Sequence, residues 1–208
     1  LTLSTYPLVT HHRTPAALKA GRIYIGILLT KSIGFLLPAI ILTYIFSGNL
    51  NFVPGGILSD KISDLMTVIL LMLYAYGTGK AALMPIHYWL PNAMVAPTPV
   101  SALLHAVAVV KTGVFTILKV VIYIFGINNL NNIDSHVFLT YSATFTIIVA
   151  SLIALRQDNL KARLAYSTIG QLAYIILGAS LVNDDGIVGA SLHIAIHAFG
   201  KITLFFCA

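Results

Sequence analysis

The chain has 208 residues, of which 58% are hydrophobic and only 9% are charged, and its formal net charge is +6. Soluble domains carry about 25% charged residues. This composition therefore excludes an ordinary water-soluble domain and predicts an all-α, polytopic bundle of helices that spans a lipid bilayer. The basic residues border or interrupt apolar segments and form no surface run, which argues against a nucleic-acid partner.

Apolar segments long enough to cross a bilayer follow one another along the chain, separated by polar connections. They predict partial spans at 1–10 and 186–208, complete spans at 23–46, 100–124, 136–155 and 160–182, and one broken span at 64–94. The sequence opens without Met, inside an apolar segment. We therefore expect residues 1–208 to be a single transmembrane domain that is a fragment of a longer protein.

The stretch 64–94 is too long for one straight crossing, and it runs into a cluster of prolines. Pro85, Pro91, Pro97 and Pro99 fall within fifteen residues, and a proline inside a helix removes a hydrogen bond and kinks or breaks the helix. We predict a discontinuous helix around Pro85. Such breaks are tolerated in a membrane where the backbone lines a cavity or is buried in protein, as in transporters.

Basic residues are distributed unevenly between the predicted loops. The loops at 11–22 and 156–163 each carry three Lys or Arg residues, whereas the intervening loops carry Lys61 and otherwise none. The positive-inside rule predicts that both basic loops face the cytoplasm. We expect a multi-pass protein of the bacterial inner membrane.

Lys80 lies about 24 Å into its predicted helix, at about 1.5 Å per residue, which is inside the hydrocarbon or at its far edge. A lysine there is costly, and intramembrane ionisable residues commonly mark ion or proton pathways. The alternative is that its amine reaches back to an interface. The adjacent helix break favours a function in proton transfer.

Three further lysines and a histidine are candidates of the same kind. Lys111 lies in the middle of the next span, where its amine cannot easily reach an interface, and Lys31 is eight or more residues into its own span. His105 is on the same span as Lys111 but six residues away, which places the two on different helix faces. Lys161 lies at the start of a helix, and position alone makes it a topology charge.

His193, His197 and Lys201 recur every four residues and therefore line one helix face over two turns, about 12 Å. A row of titratable groups in an apolar helix is typical of a proton relay. A metal site and a structural hydrogen-bonded pair are the alternatives. Ile194 stands where a zinc protease has its glutamate, and no nearby acid or cysteine offers a third ligand. We predict neither a metal nor another cofactor.

Three stretches carry a family resemblance. The first is GKAALMPIHYWLPNAM over 79–94, continued by APTPVSALLH over 96–105; the second is DNLKARLAYSTIGQ over 158–171; the third is 193–201. They resemble the proton-translocating antiporter-type membrane subunits of respiratory complex I, membrane-bound hydrogenases and multisubunit monovalent cation/proton antiporters. The resemblance implies a fragment of a fourteen-helix inverted-repeat fold.

The resemblance also implies roles for particular residues. Lys80 would be the central lysine of a first half-channel, and its partner glutamate would fall just before Leu1. Lys161 would be a bridging lysine, which replaces its interpretation as a topology charge. His193 and His197 would continue the polar axis, with Lys201 beside them. Residue 31 is a position where family members often carry a basic residue.

The branch of the family is indicated by the helix after the break. This chain has both His105 and Lys111, followed by Thr112 and Gly113, which favours the multisubunit cation/proton antiporters. The alternative is a proton-pumping subunit of NADH:quinone oxidoreductase or of a related hydrogenase. The expected partners are other membrane subunits, protons, and Na⁺ or K⁺. The chain would have no active site of its own and would act as a translocase only within complex I.

Two other classes of function remain open at this point. A non-conducting scaffold subunit would use its buried lysines as fixed structural partners. A membrane enzyme would use the histidines to hold a metal.

Overall fold

The computed structural model describes residues 2–58 and 61–208, and these residues form helices and loops without a strand. This confirms the predicted all-α class. Leu1, in the first predicted span, and Ser59 and Asp60, in a predicted loop, lie outside the described residues. The helices are α1 Thr2–Val9, α2 Pro15–Lys31, α3 Leu37–Ser47, α4 Asp64–Gly77, α5 Trp89–Asn92, α6 Thr98–Ala102, α7 Val109–Lys119, α8 Ile127–Ile133, α9 Val137–Leu155, α10 Leu160–Ser180 and α11 Asp184–Phe206.

Short π-helical segments join some of these helices into longer rods. Ser32–Leu36 connects α2 to α3, and Leu103–Val107 and Val120–Phe125 flank α7. The resulting rods, Pro15–Ser47 with 33 residues and Thr98–Phe125 with 28, are long and apolar enough to cross a membrane. Helices α9 and α11 meet the same condition. Single π-helical turns within a rod are frequent at functional sites.

Proline and glycine explain the shape of the first rod. Pro38 is the second residue of α3, and α3 follows the π-helical segment directly. Proline has no backbone N–H to donate, and its ring crowds the preceding turn. The helix therefore adopts the wider π-helical hydrogen-bonding pattern there. The rod ends at Ser47 and is closed by Gly48, whose φ of 77° is in the left-handed region that favours glycine.

The predicted discontinuous helix is present, and it begins earlier than the prolines suggested. We expected the break around Pro85, but α4 ends at Gly77. Gly77 and Gly79 allow the rod of α2 and α3 to approach closely. A Cβ atom on Gly77 would lie 2.5 Å from the Leu36 nitrogen, and one on Gly79 would lie 2.6 Å from Lys31 Cδ. Residues 78–88, called the break below, contain only the short 3₁₀ turn Gly79–Ala81 before α5 begins.

Side chains from other elements satisfy the exposed backbone of the break. Trp89 Nε1 donates to the Gly79 carbonyl at 3.0 Å, and Lys31 Nζ donates to the Ile86 carbonyl at 2.8 Å. Thr146 Oγ1 of α9 accepts from the Met84 amide at 3.2 Å. In a membrane every such group needs a partner inside the protein. These three bonds explain how an unwound segment persists at this depth.

The break is also packed tightly against α7. A Cβ atom on Gly113 would lie 2.4 Å from the Ala81 nitrogen and 2.5 Å from the Lys80 carbonyl carbon. Trp89 is fully buried and packs edge-on against the Tyr24 ring, with ring centroids 5.5 Å apart. The largest buried side chains of the bundle therefore lie around the break, and this packing fixes the position of Lys80.

Both ends of the bundle are held by contacts between elements that are distant in sequence. At one end α2 packs on α5 through Tyr24 and Trp89, and Lys161 Nζ donates to the Ala96 carbonyl at 3.4 Å. At the other end the amides of Ile57 and Leu58 donate to the Ile124 carbonyl, at 3.0 and 3.1 Å. The long loop before α4 therefore lies beneath the end of the second rod.

The outward face of α9 shows what surrounds the bundle. Tyr141, Phe145, Ile148, Leu152 and Leu155 are between 55% and 79% exposed and recur at three- and four-residue intervals on one face. Exposure of such an apolar stripe to water is unfavourable, whereas its contact with lipid or with a neighbouring membrane helix is favourable.

Candidate functional site: a row of buried bases

Lys80 lies on the 3₁₀ turn Gly79–Ala81, at the centre of the break, and is partly buried. Its side chain lines a cavity of about 60 Å³ between the first rod, the break and α7. The cavity is also lined by four hydroxyl-bearing residues: Ser32, Thr78, Thr112 and Thr116. We call this space the hydroxyl cavity. Thr78 Oγ1 is buried and has no hydrogen-bond partner among the described residues.

Lys111 begins a second group of bases. Its side chain is buried, and Nζ contacts Nδ1 of His197 on α11 at hydrogen-bond distance. A lysine ammonium is only a donor, so Nδ1 accepts and the neutral imidazole carries its proton on Nε2. That nitrogen is buried and has no partner within the described ranges. His197 therefore has one occupied and one free nitrogen.

His193 and Lys201 extend this group along α11. His193 Nε2 is 2.8 Å from Gln171 Oε1, and the His193 and His197 rings stack with centroids 6.0 Å apart. Lys201 is buried and donates to Ser167 Oγ at 2.8 Å and to the Leu164 carbonyl at 3.2 Å. We call Lys111, His193, His197 and Lys201 the basic cluster.

His105 lies beside the basic cluster. It is completely buried, its ring is 5.5 Å from that of Phe205 on α11, and neither ring nitrogen has a partner in the described part of the chain. The sequence predicted His105 and Lys111 on different helix faces, and in the structure both side chains contact α11, His105 at Phe205 and Lys111 at His197. His105 lies within the π-helical segment Leu103–Val107, whose wider turn alters the helix register before Lys111.

Lys31 and Lys161 are placed differently from the cluster. Each donates to a backbone carbonyl of the region around the break, Lys31 to Ile86 and Lys161 to Ala96. Lys31 is buried, whereas Lys161 is partly exposed at the start of α10. The structure thus brings Lys111, His193, His197, Lys201 and His105 together, and leaves Lys31 and Lys161 outside that group.

Several residues of the site were not among the sequence candidates. Gln171, Ser167 and the four hydroxyl residues of the cavity contact or surround the bases but do not titrate near neutral pH. Gln171 and Ser167 lie four residues apart on α10, and so share one face. This four-residue spacing, on a helix opposite the one that carries His193 and His197, was the sequence pattern that could have identified Ser167 and Gln171.

The site contains bases without neighbouring acids. The sequence has no glutamate, and the described aspartates lie at or just beyond helix ends, as Asp64 and Asp184 do at the starts of α4 and α11. Throughout residues 2–58 and 61–208, no three His, Cys, Asp or Glu residues come together in a way that could hold a metal ion. Among the described residues, no carboxylate therefore neutralises the buried bases.

The family model described as "NADH:quinone oxidoreductase/Mrp antiporter, TM" matches residues 1–208. The chain belongs to this family. It is consequently an integral, multi-pass membrane protein of the family that includes membrane subunits of NADH:quinone oxidoreductase and of Mrp antiporters.

Similar proteins include subunits from both kinds of complex. The chain is 39% identical to F(420)H(2) dehydrogenase subunit L of Methanosarcina mazei over 156 residues, which cover 74% of the chain and 22% of that protein. It is 34% identical to NAD(P)H-quinone oxidoreductase chain 5 of Synechocystis over 159 residues, covering 76% of the chain and 22% of that protein. The chain thus spans about a fifth of the curated relatives it matches.

Two solved structures share the fold. The Mrp complex of Dietzia sp. matches with a TM-score of 0.84 and 29% identity, over 98% of this chain and 22% of the matched chain. The archaeal membrane-bound sulfane sulfur reductase matches with the same TM-score of 0.84 and 30% identity, over 99% of this chain and 42% of the matched chain. The Mrp family and the respiratory family are therefore equally close in fold.

Proposed function

We propose that the chain is the proton-conducting part of a membrane subunit of a multisubunit monovalent cation/proton antiporter, which exchanges Na⁺ or K⁺ for protons. One observation carries this proposal. Lys111 and His197, from two different rods, meet in the interior of an apolar bundle and leave one nitrogen of His197 free. A buried, bridged pair of bases whose outer nitrogen carries a proton and has no acceptor among the described residues is suited to passing that proton onward.

The proposed path begins at Lys80. Thr112, the neighbour of Lys111 along α7, lines the same hydroxyl cavity as Lys80. Water in that cavity can therefore connect Lys80 to the segment that carries Lys111. The imidazole of His197 then receives a proton at Nδ1 and releases the one on Nε2, so its two nitrogens face the incoming and outgoing sides of the path.

Lys201 and His193 continue the path in two directions from His197. Lys201 lies one turn further along α11 and is held by Ser167, whereas His193 lies one turn back and is held by Gln171. Both partners are on α10, so α10 orients the outer members of the basic cluster. A hydrogen-bonded orientation of this kind keeps neighbouring bases at transfer distance.

The alternative is a subunit of a redox-driven complex. The names of the relatives in Methanosarcina mazei and Synechocystis favour it, since both are oxidoreductase subunits. Both functions use the same buried bases. The presence of both Lys111 and His105 on one rod favours the antiporter. In either case the partners would be other membrane subunits, and the relatives are subunits of such complexes.

The orientation in the membrane is part of the proposal. The loops at 11–22 and 156–163 would face the cytoplasm of a bacterial inner membrane. The contacts of Tyr24 with Trp89 and of Lys161 with Ala96 support a common side for the two segments, because they connect α2, α5 and the start of α10.

The experiment uses everted vesicles that contain the full-length protein in its native complex. An unrelated pump first sets an inside-acid gradient, and Na⁺ or K⁺ is then added without any reductant or quinone. A collapse of the gradient that depends on the cation is expected. Proton pumping that starts only when a reductant is added would refute the antiporter and assign the chain to a redox-driven complex.

A further inference from the structure

The hydroxyl cavity beside Lys80 is lined by four hydroxyl-bearing residues together with leucines and glycines, and its lining includes no acid. Its lining includes the side chains of Ser32, Thr78, Thr112 and Thr116, with Lys80 as the one titratable residue among them. A volume of about 60 Å³ exceeds the roughly 30 Å³ that one water molecule occupies in the liquid. The cavity therefore has room for a small cation with little of its hydration shell.

Two of the four hydroxyl groups are set to accept, because their hydrogens are already used in bonds to backbone carbonyls. Thr112 Oγ1 donates to the Ala108 carbonyl at 2.8 Å, and Thr116 Oγ1 donates to the Thr112 carbonyl at 2.7 Å. Each oxygen keeps its lone pairs for another partner. Thr78 Oγ1 is buried in a residue that is only 7% exposed, and it has no partner among the described residues. A buried hydroxyl without a partner is costly, which indicates that something else binds it.

The backbone at the break adds further negative potential. Helix α4, 14 residues long, ends at Gly77, on the wall of the cavity. The last carbonyls of a helix lack intrahelical partners, and the helix dipole places partial negative charge at that end. The ends of half-helices and unwound carbonyls are the groups that coordinate Na⁺ in discontinuous-helix transporters.

The close packing of glycines shapes this cavity and excludes a larger ligand. Gly77, Gly79 and Gly113 all line it, and each lies where a Cβ atom would come within 2.6 Å of a neighbouring atom. The backbone segments around the cavity are therefore in close contact, and a larger cavity would require one of the rods to move. Neutral oxygens and a single adjacent lysine match one monovalent ion, since a divalent ion would need carboxylate ligands.

We propose that the hydroxyl cavity binds one alkali cation, and that this cation and the protonated amine of Lys80 occupy it alternately. Two positive charges a few ångströms apart in a poorly hydrated site repel each other strongly. Binding of the cation therefore requires that Lys80 has given up its proton, and return of the proton displaces the cation. This inference rests on the proposed antiporter function and supplies the step at which one ion is exchanged for the other.

The test measures the cation concentration that gives half-maximal exchange, in the same everted vesicles with the full-length complex. The variants are Thr78→Val and Thr112→Val, each of which removes one oxygen while keeping the size of the side chain. Thr168→Val is the matched control, because Thr168 is fully buried and its hydroxyl bonds only to the Leu164 carbonyl of its own helix. The amount of assembled complex is measured for each variant.

We expect both cavity variants to raise the half-maximal concentration about tenfold, which corresponds to the loss of one hydrogen-bond-like ligand to a charge. Thr168→Val should leave that concentration unchanged. Because Thr112 is exposed within the described chain, Thr112→Val is expected to assemble even if Thr78→Val does not.

Normal exchange with an unchanged half-maximal concentration in the cavity variants would overturn the inference and leave the proposed function intact, since the cation would then bind elsewhere. Absence of cation-dependent exchange in the unmodified complex is a different result. It would overturn the proposed function and this inference together.

Discussion

Gly113→Ala provides a sharp test of the packing that holds the break in place. The added Cβ atom would lie 2.4 Å from the Ala81 nitrogen, 2.5 Å from the Lys80 carbonyl carbon and 2.9 Å from Lys80 Cβ. The two nearest of these atoms belong to the backbone, so no side-chain rotation can relieve the contact. The rod that carries Lys111 must instead move away from Lys80.

The expected magnitude follows from two opposing terms. Overpacking in a tight core costs about 1–3 kcal/mol, whereas alanine in place of glycine in a helix gains about 1 kcal/mol. The two terms leave a net loss of about 0–2 kcal/mol in stability, and we expect a larger effect on transport because the cavity beside Lys80 opens. Gly189→Ala is the control, since a Cβ atom there meets nothing within 4 Å.

The assay is thermal inactivation of the detergent-solubilised complex, together with proton flux in vesicles. Gly113→Ala should inactivate at lower temperature and lose most of its flux, whereas Gly189→Ala should be as stable as the unmodified protein or slightly more so. Equal stability and equal flux for the two variants would refute the close packing of α7 on the break.

Three other predictions concern single side chains. Lys111→Met should reduce proton flux per assembled complex at least tenfold, because His197 loses its partner. Adding His197→Gln to Lys111→Met should cause little further loss. Additive losses in that double-mutant cycle would contradict a shared path. Trp89→Phe removes the bond to the Gly79 carbonyl and should lower the stability of the complex by about 1–3 kcal/mol in a denaturation assay, while unchanged stability would show that the carbonyl needs no partner. Lys31→Met leaves the Ile86 carbonyl without its lysine partner. It should reduce the amount of assembled complex, measured on a native gel, more than the flux per complex, measured in vesicles. A larger loss of flux than of assembly would make Lys31 a proton carrier.

Much of the fold could be predicted because each decisive feature is local in sequence. The apolar segment lengths gave the all-α class, and the proline cluster after Met84 gave a discontinuous helix. The position of the break could not be predicted as well. Gly77 and Gly79 end α4 because the first rod packs against them, and a single helix does not reveal its neighbour.

The sequence predicted which titratable residues belong to the site, but not which of them contact one another. The four-residue spacing of His193, His197 and Lys201 placed them on one face, and that face does meet α10 and α7. The contact of Lys111 with His197 joins residues 86 positions apart, and the spacing of residues within one helix does not show which distant helix lies against it. The hydroxyls of the cavity were missed because threonine is common in membrane helices for structural reasons.

The most direct test of the account compares the unmodified complex with Lys80→Ala and with Lys61→Ala, whose lysine is exposed outside the bundle interior. Proton flux per assembled complex is measured in everted vesicles on addition of Na⁺ or K⁺. We expect Lys80→Ala to abolish this flux and Lys61→Ala to preserve it. Unchanged flux in Lys80→Ala would contradict the claim that the buried bases of this chain carry protons across the membrane.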